Sequence, residues 1–141
     1  MEKTIISNSA EETFQFAADF GKEIKKNSVI ALHGDLGSGK TIFTKGLAEG
    51  LGIKDDITSP TFSLMEIYES DIPFYHFDLY RIENLHEFEN LRFEEYWEGD
   101  GVSVIEWPEK AGNLLPGKRI DIFIEYIDEY RRKITVEYTG D

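Results

Sequence analysis

The chain has no cysteine among its 141 residues, which excludes disulfides and thiolate chemistry and suits a reducing compartment. It has no apolar run near the ~20 residues that a membrane-spanning helix needs, and no signal-peptide pattern at its N-terminus. A cytoplasmic protein with no membrane association is therefore expected. Basic residues are scarce: 15 Lys and Arg stand against 28 Asp and Glu, a formal net charge of −13. The longest basic run is Arg131-Arg132-Lys133. Direct grip on nucleic acid needs a basic surface that neutralises phosphates, so any nucleic acid is expected to be held by another protein. No histidine and carboxylate spacing suggests a zinc site. Linkers, repeats and low-complexity tracts are missing too, which predicts one domain over residues 1–141.

The most informative stretch present is Gly34-Asp35-Leu36-Gly37-Ser38-Gly39-Lys40-Thr41, which fits the phosphate-binding pattern G-x-x-x-x-G-K-[ST] without mismatch. Glycines let successive backbone N–H groups turn inward around a polyphosphate. Lys40 is placed to put a compact positive charge on the β- and γ-phosphates, and the Thr41 hydroxyl to ligate magnesium. The flanks agree. Val29-Ile30-Ala31-Leu32 reads as a buried parallel strand, and Phe43, Leu47, Ala48 and Leu51 recur at helical spacing until Gly50 and Gly52. A loop between strand and helix in this pattern binds a nucleoside triphosphate.

Around it, Thr4-Ile5-Ile6 is a candidate edge strand, and Ser9 with Glu12 has capping-box spacing before a helix whose face carries Phe14, Ala17, Ala18, Gly21 and Ile24. A strand is expected over 62–69, a second over Phe74-Tyr75-His76-Phe77, and a third over Val102-Ser103-Val104-Ile105. Asn84 is placed to cap a helix with Leu85, Phe88 and Leu91 on one face, and Pro108 to open a short helix ending at Gly112. Alternation in 120–126 and 133–138 predicts an antiparallel hairpin turning at Asp128-Glu129-Tyr130. The expected fold is α/β: a P-loop NTPase-like small parallel core flanked by helices and extended by antiparallel strands.

Triphosphate cleavage also requires a carboxylate near the metal and a group that positions the nucleophile. Glu106 and Asp78 each end an apolar strand, Glu106 the more apolar one. Glu106 is therefore favoured for magnesium, directly or through water, with Asp78 as a second metal ligand or water-positioning acid. Thr58, Ser59 and Thr61 offer hydroxyls in a loop able to sense the γ-phosphate, and Arg81 is a candidate partner for developing charge. His33 and His76 read as core or interface residues, and Trp107 as a packing residue beside an acid.

The chain lacks the Asn-Lys-x-Asp and Asp-x-x-Gly motifs of signalling GTPases, and its five scattered arginines do not form a kinase lid. The phosphate loop, Ser59-Pro60-Thr61-Phe62, His76-Phe77-Asp78-Leu79-Tyr80-Arg81 and Ile105-Glu106-Trp107-Pro108-Glu109, in that order, closely resemble the bacterial TsaE (YjeE) family over almost the whole chain.

The resemblance implies a cytoplasmic, magnesium-dependent ATPase required for threonylcarbamoyl adenosine modification of tRNAs that read codons beginning with A. It implies action with TsaD and TsaB, weak hydrolysis until those partners join, and contact with tRNA only through the complex. By match to the family pattern, Lys40 and Thr41 meet phosphate and magnesium within an ATP site formed by Asp35, Leu36, Gly37, Ser38, Gly39, Lys40, Thr41 and Ile42. Glu106 is implied as a metal-site acid, Asp78 and Trp107 as functionally important, and the helix start at Glu11 to Thr13 as lying near the base. Ser38 and Ile42 stand where Ala and Thr are common in the family. The alternative class is a nucleotide-gated binding module whose hydrolysis is incidental. Self-association is left open.

Overall fold

Short apolar runs become strands and amphipathic runs become helices in the computed structural model, which describes residues 2–35, 38–57 and 64–140. Among the described residues seven strands form one sheet: β1 (Glu2–Ser7), β2 (Val29–His33), β3 (Met65–Tyr68), β4 (Phe74–Asp78), β5 (Val102–Glu106), β6 (Arg119–Tyr126) and β7 (Arg132–Thr139). Their order is β1-β7-β6-β2-β5-β4-β3. The inner strands β6, β2, β5 and β4 run parallel, and antiparallel pairs close both sides. This is the expected parallel core with antiparallel extensions. β2 and β5 lie at its centre because their runs of Val, Ile, Ala and Leu can be buried on both faces.

One face is covered by α1 (Ala10–Glu23) and α2 (Lys40–Gly50). Ser9 caps α1, its Oγ accepting the Glu12 N–H at 3.1 Å. Glu12 returns its carboxylate to the Asn8 N–H at 2.9 Å, so the capping box closes one residue early. The two helices meet backbone to backbone. A Cβ on Gly46 would strike the Phe14 carbonyl, and one on Gly50 the Ala18 carbonyl, so only glycine permits this approach. Beneath them lie Ile30, Leu32, Phe43, Leu47, Val104 and Ile122, all fully buried. Each such side chain contributes about 1.5–3 kcal/mol on leaving water.

The other face carries α3 (Leu85–Glu89) and α4 (Glu94–Trp97), which pack Phe88, Phe93 and Trp97 over Phe77 and Ile105. Asn84 caps α3 by accepting the Glu87 N–H at 2.8 Å. The apolar stripe expected on α3 is only partly used. Phe88 is fully buried, whereas Leu85 and Leu91 are 42% and 40% exposed. The helix stops at Glu89, and Arg92 turns left-handed at φ 54°, which carries Leu91 off the buried face. β3 is shorter than the strand expected over 62–69; residues 62 and 63 lie outside the described ones. The segment after Pro108 forms two 3-10 turns, Pro108–Lys110 and Gly112–Leu114, not one short helix.

All four parallel strands end on one side of the sheet. β2 leads there into the phosphate loop, and Asp78 and Glu106 stand in register as the last residues of β4 and β5. Ligands of open α/β sheets bind in the crevice at such strand ends.

Candidate active site

Gly39 precedes α2 at φ 107°, ψ 16°, a left-handed conformation that side chains rarely adopt, and gives the helix no side-chain cap. The first turn of α2 therefore starts without a side-chain acceptor, as an anion-binding helix start requires. Lys40 opens that turn and is buried, with its Nζ lacking any hydrogen-bond acceptor among the described residues. Burial pushes its ammonium below the ordinary lysine range, while the negative charges of Glu106, Asp78, Glu109 and Asp35 pull it back up. The ammonium instead lies over the Trp107 ring, 3.9 Å from its centroid. Ser38 Oγ is also buried without a partner among the described residues.

Glu106 is almost fully buried and accepts from His76 Nε2 at 2.5 Å. Asp78 is half-buried. Burial raises its carboxyl above the ordinary range, the Tyr80 N–H at 3.0 Å lowers it, and neighbouring Glu106 raises it further. Two adjacent carboxylates facing a buried lysine make a site that favours added positive charge. No group of three or more His, Asp and Glu able to hold a metal gathers among the described residues. Magnesium is usually held by one or two carboxylates plus waters and substrate phosphates, so Glu106, Asp78 and the exposed Thr41 hydroxyl suit it only alongside a bound triphosphate.

The β6–β7 hairpin braces the loop. Arg132 Nε donates to the Ser38 carbonyl at 2.9 Å, and its Nη1 donates to the Asp128 carbonyl at 2.6 Å. Arg132 pairs in register with Ser7, whose Oγ lies 2.7 Å from the Thr13 hydroxyl. This chain of contacts brings the start of α1, with buried Thr13 and exposed Glu11, to the loop's side of the molecule. A cavity of about 540 Å³ opens there, lined among others by Asp35, Ser38, Trp107, Phe123 and Tyr126. Its volume is within the range of small-ligand sites. A larger cavity, about 800 Å³, lies around Lys45, Glu49 and Asp55, towards the other end of α2, so size alone does not mark the site.

The structure thus brings Asp35, Ser38, Gly39, Lys40, Thr41, Asp78, Glu106 and Trp107 to one crevice, with half-buried Ile42 one position further along α2. Arg81 follows β4 on the exposed turn after Tyr80. Leu36, Gly37, Thr58, Ser59 and Thr61 lie outside the described residues.

Residues 7–134 match the family model described as threonylcarbamoyl adenosine biosynthesis protein TsaE. The chain belongs to the TsaE family. It is 40% identical to the TsaE of Treponema pallidum over 131 residues, spanning 93% of this chain and 97% of that protein. It is 42% identical to the TsaE of Bacillus subtilis over 132 residues, spanning 93% and 82%. The crystal structure of Bacillus subtilis YdiB superposes with a TM-score of 0.83 at 35% identity, covering 99% of this chain and 87% of that one.

In this TsaE chain His76 is buried, as expected of a core or interface residue, but its bond to Glu106 goes beyond that expectation, and Arg132 and Asp121 carried no expectation as site or core groups. His76 binds Glu106, and the two-residue step from His76 to Asp78 along β4 was a usable signal, since it puts both on one face. Arg132 carried none, being one of three basic residues in a row. Asp121 sits on the polar side of an alternating strand yet is 5% exposed, bound by His33 at 2.9 Å, Arg119 at 3.1 Å and Thr139 at 2.6 Å.

Proposed function

We propose that the chain works in threonylcarbamoyl adenosine modification of tRNA as a magnesium-dependent ATPase, acting with TsaD and TsaB and meeting tRNA only through them. Its place in that biosynthesis follows from its family. The observation that supports the ATPase reading most is the Lys40 ammonium, buried at the start of α2 with no acceptor among the described residues and facing Glu106 and Asp78. A buried ammonium is stabilised by a charge-assisted bond from an anionic acceptor, which a phosphate supplies. In this reading Lys40 and the loop amides hold the phosphates, and Thr41 and Glu106 hold the metal. Asp78 aligns the attacking water. A magnesium ion held there with the triphosphate would supply positive charge against that developing on the phosphate oxygens. Tyr80 and Trp107 pack together at 5.0 Å and shield the crevice.

The test is magnesium-dependent phosphate release from ATP by the protein alone and with TsaD and TsaB. A low rate that rises sharply with the partners is expected. Lys40→Ala should abolish binding or turnover, and Glu106→Gln should keep nucleotide affinity while losing about 10²-fold or more in hydrolysis. Full hydrolysis by the Glu106 variant would remove that acid from the reaction. Modification that proceeds undiminished with a non-hydrolysable ATP analogue would replace the ATPase reading by a nucleotide-gated binding module.

A further inference from the structure

The face of β4 and β5 that turns towards α2 is apolar except at its upper end. Phe74, Val102 and Val104 lie low on it, and His76, Asp78 and Glu106 lie towards the strand ends. In this parallel pair Asp78 stands opposite Glu106, and His76 stands one pleat below. Its imidazole reaches diagonally across to Glu106 Oε2 at 2.5 Å. Both side chains are sealed, at 1% and 6% exposure.

His76 has no other polar contact: its Nδ1 is buried and without a partner among the described residues. A hydrogen on Nδ1 would have no acceptor there, whereas a hydrogen on Nε2 meets a carboxylate oxygen. The imidazole is thereby fixed as an Nε2–H donor. At 1% exposure the imidazole does not reach the crevice itself and acts there only through Glu106. The Glu106 carboxylate keeps a second oxygen, Oε1, which takes no hydrogen bond from a described residue.

We infer that His76 is a positioning residue for Glu106: by holding Oε2 it fixes the carboxylate and leaves Oε1 as the oxygen that serves the metal or its water. This rests on the reading of Glu106 as the metal-site acid. Glutamate has three side-chain torsions and would otherwise sample several orientations in the crevice. A buried imidazole below it does for this carboxylate what outer-shell partners do for metal ligands generally, where their loss costs about 10–100-fold in metal affinity or activity.

The experiment compares His76→Leu, which fills the buried space but cannot donate, with His76→Gln, whose amide can still reach Oε2. ATP affinity is measured in EDTA and then against magnesium concentration, and manganese binding to the ATP complex is followed by electron paramagnetic resonance. Expected for His76→Leu is unchanged affinity in EDTA with about a 10-fold rise in the half-saturating metal concentration. His76→Gln should restore the metal response to within about threefold of the parent, as rescue of one donated hydrogen bond requires. If His76→Leu does not fold, His76→Asn, whose amide is too short to reach Oε2, takes its place with the same expectation. A wild-type metal response in the non-donating variant, or equal impairment in His76→Gln, would overturn the inference. Glu106→Gln separates the two levels. An unchanged metal response in that variant removes the site reading and this inference with it. A weakened response there, beside wild-type behaviour in the His76 variants, removes this inference alone.

Discussion

The Lys40 ammonium rests 3.9 Å from the centre of the Trp107 ring, and Trp107 holds its place with a left-handed backbone at φ 58°, ψ 50°. That conformation costs a non-glycine residue on the order of 1–2 kcal/mol. A desolvated ammonium over an indole face returns about 2 kcal/mol. In the proposed ATPase reading the neutral ring face is a placeholder for the ammonium until a phosphate takes its place.

Nucleotide binding should accordingly change the emission of Trp107. The chain has two tryptophans, and Trp97, the last residue of α4, is buried in the core between that helix and the sheet. Titration with ATP is expected to shift fluorescence in the parent and in Trp97→Phe, and to leave Trp107→Phe silent. A shift that survives undiminished in Trp107→Phe would place the signal at Trp97 and overturn the expectation for Trp107.

Lys40 should also make the free protein's stability depend on pH. Burial lowers its pKa in the folded chain, so the unfolded chain binds the proton more readily. Stability then rises with pH between the lowered value and the ordinary one of about 10.4. In Lys40→Met that rise should be missing, and the variant should be the more stable at neutral pH. Denaturation midpoints of the two proteins across pH 7 to 10 check this. Parallel curves would contradict it.

Arg132 ties the phosphate loop to the hairpin through the Ser38 carbonyl. Arg132→Gln should free the loop's backbone and weaken ATP binding about tenfold, since a hydrogen bond to a charged donor is worth about 1.5 kcal/mol. The melting temperature should fall by only a few degrees. Calorimetric titration with ATP reads the first effect and thermal denaturation the second. An ATP affinity equal to the parent's would assign Arg132 to hairpin stability alone.

Asp121 should govern acid stability. Burial raises its carboxyl, but hydrogen bonds from Thr139, His33 and Arg119 outweigh it and hold the group below the ordinary aspartate range. Its contribution is thus fully present above about pH 4 and is lost as pH falls through the lower folded value. Asp121→Asn should be less stable than the parent at pH 7, with the gap closing below pH 4. Urea midpoints over that range measure it, and a constant gap would exclude the carboxylate's charge as the cause.

What could be read from the residues was what depends on near neighbours in the chain. The loop between β2 and α2, the Ser9 and Asn84 caps, and the alternation of β6 and β7 each rest on patterns a few residues long. The acids were found by position, because a carboxylate that ends an apolar strand stands out. Arg132 and Asp121 could not be found that way. Their meaning comes from which strands are neighbours: His33 and Asp121 are 88 positions apart, and Ser38 and Arg132 are 94. Only the order β7-β6-β2-β5-β4 brings them together.

That order has a consequence for synthesis. β2 emerges early from the ribosome, but one of its two flanking strands, β6, and the arginine that braces the loop belong to the last quarter of the chain. Pairings so distant in sequence form late and slowly. During translation the loop after β2 therefore waits without β6 and Arg132 beside it, and in the proposed ATPase reading the capacity to capture nucleotide comes only with the β6–β7 hairpin.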